Sequence, residues 1–390
     1  MAVDSVSDAI TGPPIRLGMV GGGEGAFIGA VHRLAARMDG HFQLVAGALS
    51  STPERARRSG AALGLPADRI YDDYEAMARA EAARPDGVEA VAIVTPNHVH
   101  ARPTFAFLNS GVHVICDKPL AMSLDEALKM QAAVAASGRI FALTHNYTGY
   151  PLVRRARAMV SAGELGDIRL VQVEYPQDWL SGPVETTGHK QAEWRVDPAR
   201  AGAGGALGDI GTHAYNLADF VVGIEVSELA AELTSFGAGR RLDDNVQMML
   251  RYANGARGAL WASQVAPGHE NGLKLRVYGT KASLTWAQAN PNEMFLGPLN
   301  EPVRILTRGG PGAGPADMRV TRIPAGHPEG YLEGFANIYA DFALAIKAAR
   351  EGKAAPDGVA FPTIDDGVKG MKFIEAAVAS SKANGAWVKL

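Results

Sequence analysis

The sequence predicts an α/β protein of two domains, an N-terminal parallel sheet flanked by helices and a C-terminal α+β domain with an open, mostly antiparallel sheet. Three observations lead to this class. The first third of the chain alternates short apolar runs with helix-like stretches, which is typical of strand-helix-strand units. After residue 150, apolar runs follow one another with few helices between them, which indicates hairpins. The length of 390 residues exceeds what one hydrophobic core usually supports.

The first domain is predicted to contain five strands separated by helices. The strands are short apolar runs at 15–20, 42–49, 90–94, 113–115 and 140–144. Helix-start signals lie between them: Pro53 follows two candidate cap residues, and Ser123 with Glu126 forms a capping-box pattern ahead of a helix at 124–136. This alternation predicts a parallel sheet with helices on its faces.

The second domain is predicted to begin with one helix, at 152–161, and to continue as a sheet. The predicted strands are at 168–175, 228–236, 246–251, 257–265, 273–278 and 282–288. Asn254-Gly255 is a strong hairpin signal between two of them. Hairpin connections imply an antiparallel sheet.

In the last quarter of the chain, composition predicts first a loop and then helices. The Gly- and Pro-rich stretch 290–328 is predicted to be loop. The remaining predicted elements are helices at 329–350 and 364–381 and a short strand-like tail at 386–390. We expect a dinucleotide-binding domain at 1–145 and a domain for substrate binding and oligomerisation at 146–390, with the last helix packing back on the first domain.

Charge and cysteine content argue against several classes of protein: nucleic-acid-binding, membrane-binding and disulfide-bonded proteins, and those with a Cys-based zinc cluster. The 38 Lys plus Arg nearly balance the 41 Asp plus Glu, which gives no broad footprint for nucleic acid or an anionic membrane. The single cysteine, Cys116, excludes an internal disulfide and a Cys-based zinc cluster. Residues 1–14 carry Asp4 and Asp8 without a basic start, and no segment offers the roughly 20 apolar residues of a membrane span. We therefore expect a soluble cytoplasmic protein.

A glycine-rich turn lies between the first predicted strand and the first helix. Gly21-Gly22-Gly23 follow the strand directly. A turn without side chains lets backbone N–H groups and the helix N-terminus approach a pyrophosphate. In this position the glycines predict a Rossmann-like dinucleotide site rather than a merely tight turn. The expected cofactor contacts here are Gly21, Gly23, Ala26, Phe27 and Ile28. Either Ala26 or Gly29 can fill the role of the third glycine.

The end of the second strand bears on the choice of cofactor. An acid there would bind the ribose 2′-hydroxyl of NAD, yet the sequence has Ser50 and Ser51 with Arg55 close behind. Hydroxyls and a guanidinium suit a 2′-phosphate. The alternative is that Ser51 or Thr52 only caps a helix and Arg55 is a solvated surface residue. The cofactor is therefore predicted to be NAD or NADP, with NADP slightly favoured.

Thr95, Asn97 and His98 follow the third strand, at the edge where ligands bind in open parallel sheets. They are candidates for contacts to the ribose or the nicotinamide. The alternative is a Pro-containing turn in which Asn97 caps a helix.

Asp117-Lys118-Pro119 and Asp209-Ile210-Gly211-Thr212-His213 carry the candidate chemistry. Oxidising a secondary alcohol needs a base within hydrogen-bond reach of the hydroxyl, and Lys118 and His213 can serve. Asp209 lies four residues before His213, one helical turn away, where it can orient the imidazole or bind a substrate hydroxyl. Singly, each of these residues has an ordinary structural reading, as a surface lysine, a polar helix residue or an N-cap. Together they supply complementary roles.

These motifs together resemble the glucose-fructose oxidoreductase and inositol dehydrogenase family, Gfo/Idh/MocA, over almost the whole chain. The resemblance rests on the 21–29 glycines with His32, on 95–98, on 116–119 and on 204–213. The family's lysine motif is usually Glu-Lys-Pro. Here Asp117 replaces the Glu, which keeps a carboxylate with a shorter reach.

The resemblance implies an NAD(P)-dependent dehydrogenase acting on a ring secondary alcohol of a sugar, inositol or related polyol, with Lys118, Asp209 and His213 as catalytic residues. Lys118 is expected to contact both cofactor and substrate, and Asp117 to contact the cofactor. Two alternatives remain open at this point: a redox-neutral glycosidase or epimerase with tightly bound NAD(H), and a non-catalytic dinucleotide-binding protein.

Further contacts are expected from polar and aromatic residues near these motifs. Asn146 and Tyr147 follow the last parallel strand, and Arg195 precedes the 204–213 run. Such groups suit a hydroxylated ring, and we expect them to bind substrate with Asp209 and His213. His32 is expected to be structural, and no metal site is predicted. The uncovered face of the antiparallel sheet predicts a homodimer or homotetramer.

Overall fold

The computed structural model describes residues 12–187 and 197–390. By contacts within the chain, the described residues fall into two compact units. The first unit contains residues 12–121, Asp125–Gly149 and Tyr331–Val368. The second contains Met122–Leu124, the described part of Tyr150–Gly330, and Lys369–Leu390.

The elements follow the predicted alternation and then the predicted succession of strands. The strands are β1 (Ile15–Gly21), β2 (Phe42–Ala48), β3 (Ala90–Val94), β4 (His113–Cys116), β5 (Phe141–Leu143), β6 (Ile168–Pro176), β7 (Val226–Thr234), β8 (Asn245–Tyr252), β9 (Arg257–Ser263), β10 (Lys274–Gly279), β11 (Ala282–Ala287), β12 (Glu293–Pro298), β13 (Arg304–Thr307) and β14 (Val388–Lys389). The helices are α1 (Phe27–Met38), α2 (Pro53–Ala62), α3 (Tyr74–Ala82), α4 (Ala101–Asn109), α5 (Leu124–Ser137), α6 (Pro151–Ser161), α7 (Pro198–Ala201), α8 (Thr212–Val222), α9 (Pro315–Met318), α10 (Tyr331–Arg350) and α11 (Ile364–Lys382).

The first unit is built on a five-stranded sheet in the order β2-β1-β3-β4-β5, and every neighbouring pair in it is parallel. This confirms the predicted Rossmann-like sheet. Because β1 pairs with β2 on one side and β3 on the other, the strand order reverses at β1. In open parallel sheets, ligands bind at the carboxyl ends of the strands beside such a reversal.

One face of this sheet packs in a core that α1 and α10 share. Ile15 and Leu17 from β1, Val31 from α1, and Phe335 and Phe342 from α10 belong to one buried apolar cluster. Apolar side chains withdrawn from water stabilise such a cluster by roughly 25 cal/mol per Å² of surface. Helix α10 is therefore an integral part of the first unit.

His32 lies in this core, as the sequence predicts. It is fully buried, and its Nδ1 lies 2.7 Å from the hydroxyl oxygen of Tyr339. Its ring meets that of Phe335 edge to face at 4.8 Å. Burial lowers the pKa of His32 to about 4, since the charged imidazolium would lose its water. At neutral pH the ring is an uncharged core residue.

The second unit is built on a nine-stranded sheet in the order β13-β12-β11-β10-β6-β9-β8-β7-β14. Its neighbouring pairs are antiparallel except β6 and β9, which run parallel. The predicted mostly antiparallel sheet is thus confirmed. On one face, alternate side chains such as Val173, Leu260 and Leu275 are buried.

The other face of the nine-stranded sheet, here called the outer face, carries exposed apolar side chains. Leu170, Met249, Phe295 and Ile305 are 47%, 57%, 43% and 55% exposed. The strand register places Ile305 opposite Phe295 and Met249 opposite Ala259. The outer face therefore exposes several apolar side chains to solvent.

Two details differ from the sequence prediction. The stretch 290–328 is not all loop, since it contains β12, β13 and the short helix α9. Its Gly and Pro content hid two strands near the sheet edge that are ordered by pairing with β11 and with each other. Helix α10 also groups with the first unit, although the predicted boundary placed it in the second domain. Helix α11 contributes residues to both units.

Candidate functional site

The glycine turn after β1 leaves no room for side chains. Gly21 has a φ of +78°, and a Cβ at Gly21 would lie 2.5 Å from the carbonyl oxygen of Val94. A Cβ at Gly29 would lie 2.2 Å from the carbonyl oxygen of Gly22. The close contact between helix and loop is thus made by Gly29 rather than Ala26. Backbone this tightly folded at a helix start fits a bound pyrophosphate.

The first turn of α1 is open at its start. Ala26 occupies the N-cap position and has no side chain able to cap the helix. Phe27 is 72% exposed, while Ile28 is half-buried against the core. Because no side chain caps this end, its backbone N–H groups and the positive end of the helix dipole can serve an anion.

The end of β2 carries hydroxyls and a guanidinium without a carboxylate. The Oγ atoms of Ser50 and Thr52 lie 3.3 Å apart, and Ser51 is exposed. The Arg55 guanidinium donates to the carbonyl oxygen of Glu24, within the glycine loop, over 2.6 Å. Of the three predicted residues, Arg55 therefore contacts the glycine loop.

The residues after β3 form a short 3₁₀ turn, Asn97–Val99. Asn97 is buried, at 7% exposure, and His98 is exposed. The hydroxyl oxygen of Thr95 is buried and has no hydrogen-bond partner among the described residues. A buried hydroxyl in this state usually meets a ligand or water. Together with the glycine turn, it indicates that this sheet edge fits a dinucleotide.

Asp117 and Lys118 lie directly after β4 and are half-buried. Oδ1 of Asp117 accepts hydrogen bonds from the backbone N–H of Lys118 at 3.0 Å and from the Thr144 hydroxyl at 2.8 Å. The Lys118-Pro119 peptide bond is cis. Asp117 thus restrains the backbone next to the lysine and joins it to Thr144, directly after β5.

Asn146 and Tyr147 follow β5 in a buried turn, Asn146–Gly149. They are 1% and 4% exposed, and the Tyr147 ring meets that of Tyr331 at 6.4 Å. Beside them, His145 is fully buried. Burial, and secondarily the charge of Lys118, lowers its pKa to about 3, so it is neutral near pH 7.

Asp209 and His213 lie in the second unit, on one continuous helical stretch. A π-helical segment, Leu207–Gly211, carries Asp209 and leads directly into α8, whose second residue is His213. His213 is 8% exposed. The side-chain amide of Gln264 donates to Oδ2 of Asp209 over 2.9 Å. Asp209 is thus bound by a residue that directly follows β9.

The start of this helical stretch is anchored by Asp243, which the sequence reasoning missed. Its two carboxylate oxygens accept from the backbone N–H groups of Gly205 and Leu207, each over 2.7 Å. Its carbonyl oxygen accepts from the Ala206 N–H over 2.9 Å. Three consecutive donors that no intrahelical bond satisfies are therefore bound by one residue. Its position beside Asp244, ahead of a strand, gave no recognisable cap signal.

A polar and aromatic cluster lies beside His213. The Tyr175 ring is 6.3 Å from the His213 ring, and its hydroxyl donates to Oδ1 of Asn271 over 2.7 Å. Gln177 donates to the same oxygen over 2.9 Å and accepts from the Trp179 indole N–H at 3.1 Å. The sequence analysis did not identify this cluster. Gln177 and Trp179, directly after a strand, were the available signal.

Arg195 lies outside the described residues. Within residues 12–187 and 197–390, no three His, Cys, Asp or Glu side chains are grouped so as to hold a metal ion. No helix in those ranges is both long and apolar enough to cross a membrane.

Comparison with known protein families gives two matches. Residues 15–145 match the model described as oxidoreductase family, NAD-binding Rossmann fold. Residues 153–285 match the model described as GFO/IDH/MocA C-terminal domain.

Similar proteins span the whole chain. An uncharacterised oxidoreductase, YfiI, of Bacillus subtilis (strain 168) is 37% identical over 386 residues, which is 98% of each chain. The crystal structure of an oxidoreductase from Sinorhizobium meliloti is 56% identical, with a TM-score of 0.88 over 97% of this chain and 100% of that one. An inositol dehydrogenase homologue from Azotobacter vinelandii, complexed with NADH and myo-inositol, is 39% identical, with a TM-score of 0.90 over 97% and 98% of the two chains.

Proposed function

Because this chain belongs to the GFO/IDH/MocA family of NAD-dependent oxidoreductases, we propose that it transfers hydride between a ring secondary alcohol of a sugar, inositol or related polyol and a nicotinamide, with Lys118 and His213 as acid–base groups. The first unit holds the dinucleotide and the second supplies the polyol contacts. The main support is in the second unit, where Gln264 binds Asp209 and the Tyr175 ring lies beside His213, in a chain whose first unit fits a dinucleotide.

The roles of the residues follow from the chemistry of alcohol oxidation. When bound, the nicotinamide accepts the hydride from the carbinol carbon. Lys118 and His213 act at the hydroxyl oxygen, where one of them takes its single proton in oxidation and returns it in reduction. Asp209, fixed by Gln264, orients the imidazole or binds a neighbouring substrate hydroxyl. Asp117 binds the Lys118 backbone N–H and so sets the direction of the lysine.

The proposed cofactor contacts are the sequence-predicted ones at the carboxyl edge of the parallel sheet. They are Gly21, Gly23, Ala26, Phe27, Ile28, Ser50, Ser51, Arg55, Thr95, Asn97, His98, Asp117 and Lys118. We propose a slight preference for NADP, supported by the absence of a carboxylate at the end of β2 and by the position of Arg55. The related structure with NADH is the reason the preference is slight.

The proposed substrate is a hydroxylated six-membered ring. The related structure complexed with myo-inositol supports a cyclitol. Amides, an indole and a phenol beside His213 offer hydrogen bonds and apolar stacking surfaces, which is what such a ring requires. Asn146, Tyr147 and Arg195 are proposed to add further contacts.

We also propose that the protein forms a homodimer or homotetramer through the outer face. An uncovered sheet face with exposed Leu170, Met249, Phe295 and Ile305 is the kind of apolar patch that usually meets another subunit. Two copies that pair through this face use the same residues on both sides. A single substitution therefore changes the interface at two symmetric positions in a dimer.

A screen tests the proposed reaction. Cyclitols, pyranoses and glycosides are each incubated with NAD and NADP, and the absorbance of the reduced nicotinamide is followed. We expect net reduction with at least one free cyclitol or sugar. Glycoside cleavage without net reduction would contradict the dehydrogenase and favour a redox-neutral reaction.

A second test asks whether Lys118 and His213 act on one oxygen. We compare Lys118→Ala and His213→Ala with the double variant. Groups that act as a unit are non-additive, so the double variant should be about as slow as the slower single variant. If the rate losses of the two single variants multiply in the double variant, the two side chains act in different steps.

A further inference from the structure

His100 lies beneath the carboxyl edge of the parallel sheet and contacts two of its loops. Nδ1 of its ring is 2.8 Å from the carbonyl oxygen of Pro119. Nε2 is 2.9 Å from the carbonyl oxygen of Thr95. The first oxygen belongs to the segment after β4 that carries Lys118, and the second to the segment after β3. The ring therefore bridges two of the predicted cofactor-binding segments.

The backbone of His100 is itself fixed. The residue immediately precedes α4 and is fully buried. Its carbonyl oxygen accepts from the Thr104 hydroxyl at 2.8 Å and from the Thr104 N–H at 3.3 Å. The ring of His100 is therefore attached to backbone that is itself hydrogen-bonded at the start of α4.

Both carbonyl oxygens can only accept hydrogen bonds, which constrains the ring. A neutral imidazole has one N–H and one bare nitrogen, whereas the imidazolium donates from both. In a neutral ring, one lone pair would face a carbonyl oxygen at under 3 Å, which is repulsive. A proton on each ring nitrogen would satisfy the two contacts together.

The charge that this implies has a counterpart in Asp117. Burial lowers the pKa of His100, while Asp117 and the carbonyl oxygens of Thr95, Pro119 and Leu120 act in the opposite direction. Burial is the largest of these influences and lowers the pKa of His100 overall. The two carbonyl contacts, each under 3 Å, are the geometric observation that argues for a second proton against this lowering.

We propose that His100 is a positioning residue that donates from both ring nitrogens and so fixes the segment carrying Lys118 to the segment after β3. It contacts neither reacting group and acts through the backbone of Pro119 and Thr95. Its kinetic consequence rests on the proposed function, whereas its proton state does not.

The proton state is tested directly on the full-length protein. The histidines are labelled with ¹⁵N, and the ring signals of His100 are assigned by their loss in His100→Gln. We expect both ring nitrogens to carry protons near pH 7. A signal from a neutral ring with one bare nitrogen would overturn the proposal, whether or not the protein oxidises any polyol.

The positioning role is tested by His100→Gln against His113→Gln. His113 is also buried, and it lies at the opposite end of β4, where its Nδ1 accepts from the Ile140 N–H at 2.9 Å. In folded samples with the wild-type circular dichroism spectrum, we expect His100→Gln to lower kcat about 10- to 100-fold, because small misplacements of catalytic groups cost this much. The His113 variant should stay within about threefold. Equal kcat values for the two variants would overturn the positioning role.

Discussion

Gln264 donates its side-chain amide to Oδ2 of Asp209 over 2.9 Å, so a residue at the end of β9 holds the carboxylate that precedes His213 on the helical stretch. Gln264 is itself 1% exposed. A buried, hydrogen-bonded amide of this kind restrains the carboxylate that it contacts.

Replacing Gln264 tests whether the orientation of Asp209 matters. In Gln264→Leu the Asp209 carboxylate loses the hydrogen bond from Gln264 while the volume stays filled. Because a hydrogen bond to a charged group is worth about 1.5–3 kcal/mol, kcat/KM for the polyol should fall about 10- to 100-fold. Dinucleotide affinity should not change. Gln43→Ala, at an exposed position on β2, is the control. Unchanged steady-state kinetics in Gln264→Leu would remove this residue from the site.

Lys118 is tested by separating its charge from its proton transfer. Lys118→Ala should abolish turnover while dinucleotide affinity, measured by fluorescence titration, stays within a few-fold. Lys118→Arg keeps the charge but not the ability to lose a proton near neutral pH, so it should be equally inactive. Lys129→Ala, at an exposed position on α5, should behave as wild type. Turnover by the Ala variant would exclude the lysine as the base.

The buried carboxyl of Asp243 should make the stability of the fold depend on pH. Burial raises its pKa to about 6 from the ordinary 3.8. The folded protein therefore binds this proton more tightly than the unfolded chain does. The resulting stabilisation is fully present below about pH 4 and is lost as the pH rises through about 6.

Asp243→Asn cannot titrate at this position and provides the reference. The unfolding free energy of the wild type, relative to the variant, should fall by up to about 3 kcal/mol between those pH limits. Urea midpoints measured across the range give this difference. A difference that stays constant with pH would mean that Asp243 is ionised throughout.

The end of β2 predicts cofactor preference. Ser51→Asp places a carboxylate where an acid would bind the ribose of NAD and would repel a 2′-phosphate. The ratio of kcat/KM for NADP to that for NAD should drop at least about tenfold, and Arg55→Ala should shift it the same way. Arg79→Ala, at an exposed position on α3, is the control. The ratio is obtained from initial rates, and a ratio unaffected by both changes would refute the proposed 2′-phosphate contacts.

The outer face predicts a change of mass in solution. Met249→Asp introduces a charge into this face, and burying an unpaired charge between subunits is costly. The wild type should sediment as a dimer or tetramer at micromolar concentration and the variant as a smaller species. Leu128→Asp changes an equally apolar, exposed residue on α5 and should leave the mass unchanged. A monomeric wild type would contradict the interface.

Local sequence signals predicted the first unit well. Its five strands are continuous apolar runs, and its glycine turn has a steric requirement visible from spacing alone. The boundary of the unit could not be predicted this way. Helix α10 is separated from β5 by the whole second sheet in sequence, and its apolar residues do not indicate which core they enter.

The candidate site was predictable as far as its residues carry recognisable chemistry. Lys118, Asp209 and His213 combine rare functional groups with motif spacing. Gln264, Asp243 and His100 are single polar residues whose roles come from contacts across many residues of sequence. Such contacts are set by the tertiary structure, and no local pattern encodes them.

The contribution of α10 to the first core has a consequence for biosynthesis. Phe335, Ile338 and Phe342 pack with Ile15 and Val31, although about three hundred residues separate them along the chain. Translation delivers the nucleotide-binding strands first, yet their core is incomplete until the ribosome has passed α10. A fragment comprising residues 1–145 would leave this apolar face in water, and it should aggregate rather than fold. The strands of the first unit are therefore synthesised early, but the core that they share with α10 is completed only after α10 has been synthesised.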